Sequence, residues 1–92
     1  MQVGICNIKF LVPDSFSLKD KRQVTQSLVK KLRNNFNVSI AEENIDSWKD
    51  VYITVVSVNT EKSHLFSTLS KVVEFIKNEP RVILKDYDIE IL

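Results

Sequence analysis

The chain has 92 residues, 43% hydrophobic and 27% charged, with one glycine, two prolines and a formal net charge of +1. This length allows one domain with a single core, and the composition excludes a disordered or low-complexity chain. The lone cysteine excludes an internal disulfide, no basic segment precedes the apolar start, and no apolar run approaches the ~20 residues of a membrane helix, so a cytoplasmic protein without membrane contact is expected.

The first predicted element is a strand from Val3 to Val12. Its alternation of apolar and polar residues places Cys6, Ile8 and Phe10 on one buried face. The strand is expected to end at Pro13, where the sequence "PDS" is typical of a turn.

A helix is predicted next, from Leu18 to Phe36. Ser17 is a natural N-cap, and Asp20 three residues later resembles the second half of a capping box. Apolar residues recur at helical spacing and define the buried stripe, which consists of Val24, Leu28, Val29, Leu32 and Phe36.

The second half of the chain repeats the same types of element. A strand is predicted from Asn37 to Ile45 and a stronger, β-branched strand from Asp50 to Val58. A second helix is expected to start near Thr60 and to end before Pro80. The final segment, "RVILKDYDIEIL", predicts a closing strand.

The predicted order of elements is therefore β-α-β-β-α-β. This order is typical of a ferredoxin-like α+β fold, in which both helices cover one face of a four-stranded antiparallel sheet. The other face of the sheet is predicted to lack a helical cover.

Positive charge is concentrated in the first helix. Between Ser17 and Arg33 there are six cations and one anion, giving +5, and the remainder of the chain carries −4. On a helical wheel Lys19, Arg22, Lys30 and Arg33 fall within about 80° and form a ridge beside the core stripe. Lys21 aligns with the core stripe instead, and its position in the first turn predicts that it overhangs the sheet and stays accessible.

Cations in a first turn oppose the helix dipole, while the free N–H groups at that end favour an anion. The five cations Lys19, Lys21, Arg22, Lys30 and Arg33 are therefore predicted to contact phosphates. Two alternatives remain open. In the first, the ridge is a plain solvated surface; in the second, it pairs with acidic residues, either Glu42, Glu43 and Asp46 of the same chain or Asp86, Asp88 and Glu90 of a second copy.

Other residues give weaker indications of a site. No second Cys or His accompanies Cys6 and His64, so neither a metal site nor a cofactor is predicted, and no catalytic constellation indicates an enzyme. Tyr52 is predicted on the open sheet face. Trp48 is either an exposed contact residue or a side chain folded over the sheet edge or the core.

The sequence resembles the small bacterial YlxP-like family of unknown function along essentially its whole length. The resemblance is carried by "SLKDKR", "LRNNFNVSIAE", "SWK" and "YDIEIL". The matching signature residues are Ser17, Leu18, Lys19, Lys21, Arg22, Phe36, Asn37, Val38, Ala41, Glu42 and Trp48. The turn "SVNT" departs from the "SND"-like turn of relatives, so no role is carried over to it.

The resemblance implies a ferredoxin-like fold and no assigned activity. Genes of this family commonly neighbour those of translation-initiation and ribosome-maturation factors. Two functions are expected from the sequence: a non-enzymatic module that binds structured RNA or the ribosome through the basic helix, or a homodimeric interaction domain that uses the open sheet face or a strand edge.

Overall fold

The computed structural model describes residues 1–92 and contains six regular elements. They are β1 (Gln2–Leu11), α1 (Leu18–Asn35), β2 (Ser39–Glu42), β3 (Asp50–Asn59), α2 (Lys62–Lys77) and β4 (Ile83–Ile91). The predicted order β-α-β-β-α-β is confirmed. Neither helix combines the length and apolarity that crossing a membrane requires.

The strands form one antiparallel sheet in the order β2-β3-β1-β4. Its register pairs Cys6 with Val55 and Ile8 with Ile53, so these apolar side chains share one face. All four are at most 2% exposed. Both helices pack on this face, which confirms the predicted ferredoxin-like α+β fold and leaves the opposite face of the sheet uncovered.

One core lies between the sheet and the helices. The strands contribute alternate apolar residues, and the helices contribute stripes in which Leu28, Leu32, Leu69 and Ile76 are fully buried. The chain's one glycine, on β1, lies against Leu65 and Leu69 of α2. A Cβ at Gly4 would stand 2.7 Å from Leu69 Cδ1, closer than van der Waals contact allows.

The predicted bounds of β1, α1 and β3 are each within one residue of the structure, whereas those of β2 and α2 differ by more. The strand predicted from Asn37 to Ile45 shortens to Ser39–Glu42, because only these residues pair with β3 before the chain turns away. α2 begins at Lys62 rather than near Thr60, and its N-cap, Glu61, makes no side-chain capping bond.

An ion-pair cluster centred on the buried carboxylate of Glu79 fastens α1 to the connection between α2 and β4. The Glu79 carboxylate accepts from Arg81 Nε at 2.7 Å and lies 3.8 Å from Lys31 Nζ. Arg81 also donates to Ser27 Oγ on α1 at 3.2 Å. The hydrogen bond from Arg81 is the main cause of a lowered Glu79 pKa, since it favours the charged carboxylate.

Replacing Glu79 by Gln is expected to lower the free energy of unfolding by about 1–3 kcal/mol at neutral pH, because two cations lose their buried partner. The pKa of Glu79 is lower in the folded state, so its contribution is present above the ordinary Glu pKa of about 4.3 and is lost as the pH falls through the lower folded value. Urea unfolding at several pH values measures both effects.

The exposed Glu74, which has no ion-pair partner, provides the control as Glu74→Gln. The difference in the free energy of unfolding between the Glu79 variant and the parent should become smaller at acidic pH. The control variant should have the same free energy of unfolding as the parent at every pH. A Glu79 variant whose deficit stays constant down to acidic pH would contradict the assignment.

Candidate functional site

The amino end of α1 is capped by its own side chains. Ser17 Oγ accepts from the Asp20 backbone N–H at 3.1 Å, which confirms the predicted cap. Asp20 Oδ2 in turn accepts from the Phe16 backbone N–H, also at 3.1 Å. A carboxylate therefore already occupies the position in which an incoming anion would meet the helix dipole.

The structure contradicts the predicted accessibility of Lys21. This residue is only 7% exposed, and its ammonium donates to the backbone carbonyls of Ser47 and of Asp50, the latter at 3.1 Å. The helix does not overhang at this point, because the β2–β3 connection folds over its first turn. Lys21 is therefore a structural residue that orders this connection, and it is removed from the predicted phosphate-binding set.

Further contacts order the same connection around Lys21. Ser47 Oγ donates to Asp50 Oδ2 at 2.8 Å and accepts from the Asp50 N–H at 3.0 Å. Lys49 donates to the carbonyl of Pro13 and lies 5.1 Å above the ring of Phe16. The β1–α1 and β2–β3 connections therefore form one assembled end of the molecule.

The remaining predicted cations form a continuous exposed ridge on α1. Lys19, Arg22 and Lys30 are exposed and take part in no ion pair or side-chain hydrogen bond. Arg33 is exposed as well, although its guanidinium donates to the Ile40 carbonyl at 2.9 Å. We call Lys19, Arg22, Lys30 and Arg33 the basic ridge.

Acidic residues approach the ridge at one end only. A depression of about 400 Å³ is lined by Leu18, Lys21, Arg22, Glu42, Glu43, Asn44, Ile45 and Asp46. None of its three carboxylates forms an ion pair with Arg22. The alternative in which these acids neutralise the ridge is therefore not realised within one chain, although they lower the positive potential near Arg22.

The largest depression lies on the opposite side of the molecule, on the open sheet face. This groove has a volume of about 600 Å³, and its lining includes Asn7, Lys9, Tyr52 and Thr54. Thr54 Oγ1 donates to Asn7 Oδ1 at 2.9 Å, and Asn7 Nδ2 donates to Asp88 Oδ1 at 3.2 Å. This chain of hydrogen bonds crosses three strands and fixes the floor of the groove.

The two predicted contact residues lie in different places. Tyr52 is half-buried in the groove, and Lys9 Nζ lies 5.1 Å from its ring centre. Trp48 is 57% exposed in the β2–β3 connection and does not line the groove. The interpretation of Trp48 as an exposed residue is therefore correct, and the alternative that it folds over the edge or the core is wrong.

Neither Cys6 nor His64 belongs to a reactive cluster. Cys6 is fully buried in the core, and burial, assisted by the charge of Asp88, raises the pKa of its thiol to about 11. His64 lies on the surface of α2, 3.3 Å from Glu61. No three His, Cys, Asp or Glu side chains are grouped so that they could hold a metal ion.

Charge is divided between the two layers of the molecule. The helices carry nine cations and two anions, or +7, and the rest of the chain carries four cations and ten anions, or −6. The open sheet face is acidic along β4, where Asp86, Asp88 and Glu90 alternate with residues of the other face. The sequence predicts these three carboxylates only as alternative partners of the ridge in a second copy and does not place them on the open face.

These features define a small ferredoxin-like α+β protein with an open sheet face. The chain belongs to the family described as "Protein of unknown function (DUF503)", whose model matches residues 3–89. It is 28% identical over 81 residues to "Uncharacterized protein YlxP" of Bacillus subtilis (strain 168), covering 87% of this chain and 88% of the relative. The resemblance to the YlxP-like family is thereby confirmed.

The fold also matches a solved structure, "De novo designed protein Foldit4". The TM-score is 0.50 at 13% sequence identity, and the match covers 100% of this chain and 97% of the designed one. At this identity the likeness concerns the fold alone.

Replacing Lys21 by Met keeps most of the apolar stem but removes the donors to Ser47 and Asp50. The free energy of unfolding is expected to fall by roughly 1–3 kcal/mol, because two part-buried hydrogen bonds to backbone carbonyls are lost. The emission of Trp48, the only tryptophan, should shift because it directly follows Ser47. Lys19→Met, at an exposed site, is the control; equal stability of the two variants would refute the structural role of Lys21.

The Cys6 thiol is expected to be unreactive in the native protein at about pH 8, because it is buried and its pKa of about 11 keeps it protonated. Titration with a chromogenic disulfide should detect no free thiol until denaturant is added, and one thiol per chain afterwards. Rapid reaction of the native protein would contradict the described burial of Cys6.

Proposed function

We propose that this protein is a non-enzymatic module that binds structured RNA, in a ribosomal or translational setting, through the basic ridge. The observation that carries the proposal is the set of four exposed cations along one side of an 18-residue helix. Three of them, Lys19, Arg22 and Lys30, have no partner within the chain.

The shape of the ridge favours an extended polyanion over a small anion. From Lys19 to Arg33 the helix advances about 21 Å, which corresponds to several phosphate spacings along a nucleic acid strand. None of the ridge residues lines the groove on the sheet face, and only Arg22 lines the depression beside the acidic residues. A convex line of separated charges contacts a backbone and does not read base edges, so little sequence preference is expected.

The basic ridge of α1 contains no acidic side chain to oppose this contact. Asp20 is the only anion of the helix, and its carboxylate is engaged with the Phe16 backbone. Gln23 and Gln26 lie exposed among the cations and can donate additional hydrogen bonds to phosphate oxygens.

The open sheet face is a poor alternative for nucleic acid. RNA-recognition domains of this element order stack bases on aromatic residues of the first and third strands. Here the corresponding positions hold Asn7, Lys9, Tyr52 and Thr54, and carboxylates flank them on β4. One aromatic ring beneath a lysine and beside several anions does not make a stacking platform.

Replacing Lys19, Arg22 and Lys30 together by Gln is expected to weaken binding to a labelled RNA hairpin by about tenfold or more at moderate salt. The plot of log affinity against log salt should lose about two to three units of slope, because about three phosphate contacts disappear. Fluorescence anisotropy over a range of salt concentrations measures both quantities.

The matched control replaces the three exposed lysines of α2, Lys62, Lys71 and Lys77, by Gln. It removes the same net charge, so any difference between the variants reports the location of the contact rather than the total charge. Equal losses in both variants would indicate a diffuse electrostatic attraction, and no loss in the ridge variant would rule out the ridge as the RNA-binding surface.

A further inference from the structure

We propose that the open sheet face docks a basic amphipathic helix of another protein. This inference is independent of the RNA-binding proposal, because it concerns the opposite layer of the molecule and the opposite sign of charge. It rests on three features: the apolar residues of β1 and β3 on this face, the carboxylates of β4 beside them, and the match of their spacing to an α-helix.

The floor of this face is apolar at one end. The register pairs Val3 with Val58 and Ile5 with Val56, and the alternation along β1 and β3 directs all four side chains away from the core. Val58 is 46% exposed and the other three are half-buried. Tyr52 adds a ring further along the face, beyond the polar pair of Asn7 and Thr54, so an apolar stripe of a partner finds matching surface mainly at the valine and isoleucine end.

The flank that β4 gives to the open face carries three carboxylates. Glu90, Asp88 and Asp86 pair with Ile5, Asn7 and Lys9 respectively, so all three carboxylates belong to the open face. None of them forms an ion pair, even though Lys9 lies opposite Asp86. Three carboxylates without ion-pair partners lie beside apolar side chains on this face. A complementary partner is therefore apolar at its centre and cationic at its margin.

The dimensions match an α-helix. Four strands span about 14 Å from β2 to β4, and a helix with its side chains is about 10–12 Å wide. Alternate residues of a strand advance by about 6.6 Å, while every fourth residue of a helix advances by about 6 Å. Lysines or arginines at every fourth position of a partner helix therefore reach successive carboxylates of β4.

A second copy of this chain does not supply such a helix. The apolar stripe of α1 is buried in its own core, as Leu28 and Leu32 show, so only the polar basic ridge would be available. If the ridge of one copy bound the sheet face of another, the pair would still have one unused ridge and one unused sheet face. Such head-to-tail contacts add further copies in an open chain instead of forming a closed dimer. The occupant is therefore a different protein with an exposed amphipathic helix.

The test uses a synthetic peptide of about 18 residues, with leucine along one face and lysine at every fourth position beside it. The peptide is titrated into isotopically labelled protein, and amide shifts are followed by NMR. Shifts are expected along β1, β3 and β4, with few changes on α1. A scrambled peptide of the same composition presents no continuous apolar face. Its affinity should be lower by about tenfold or more.

Two protein variants locate the contact. The variant Asp86→Asn, Asp88→Asn, Glu90→Gln is expected to lose about tenfold in peptide affinity, because three carboxylates of the flank are neutralised. The control Asp14→Asn, Glu61→Gln, Glu74→Gln removes the same charge at exposed sites outside the groove lining and should change affinity by about twofold or less. Circular dichroism and urea unfolding of both variants verify that they remain folded.

Several outcomes would overturn the proposal. These are peptide shifts confined to the helices, equal binding of the scrambled peptide, and equal affinity of the two variants. Shifts of Val56 and Val58 that depend on protein concentration alone would assign the face to a homodimer, and shifts of the same residues with an RNA hairpin would assign it to nucleic acid. The Lys19, Arg22, Lys30 variant should bind the peptide like the parent, so failure of either proposal leaves the other standing.

Discussion

The structure depends on the burial of only one face of its sheet. Two helices supply enough apolar surface to cover that face, and the alternation of the strands then directs every second side chain to the side that has no cover. Cys6, Ile8 and Phe10 therefore enter the core, while Asn7 and Lys9 must form part of an exposed surface. The open face is thus a direct consequence of how the core is built, and its side chains are available for contacts with other molecules.

The first turn of α1 shows how one short segment serves several purposes. In "SLKDKR" the three cations share an end of the helix that disfavours positive charge, but they are not equivalent. Lys21 is buried and its charge is satisfied by the carbonyls of Ser47 and Asp50, whereas Lys19 and Arg22 remain exposed at the start of the basic ridge. The cap formed by Ser17 and the carboxylate of Asp20 offset part of the cost of this arrangement. One lysine therefore stabilises the fold, and the other two cations are free to act outside it.

The separation of charge between the layers gives the molecule two chemically opposite surfaces. The helices carry +7 and the remainder −6, so the small net charge of +1 hides a polarised protein. Binding of RNA to the helical layer and of a basic helix to the sheet face would not compete for the same residues. Taken together, the two proposals describe a protein that connects a polyanion with a polycationic partner.

Periodicity alone determined the order of elements, the N-cap at Ser17, the core faces of β1 and β3, and the composition of the basic ridge, because each of these depends on residues close in sequence. Alternation also placed Tyr52 on the open face, but the register that sets Tyr52 opposite Lys9 and Thr54 opposite Asn7 came only from the structure. The burial of Lys21 and the ion pair of Glu79 with Lys31 did not follow from periodicity either, because each joins segments far apart in the chain, and helical position cannot reveal which distant loop will cover a given turn. The acidic flank of the open face depends likewise on which strand β4 joins. Only the tertiary structure decided these points, since burial and charge pairing are properties of neighbours in space.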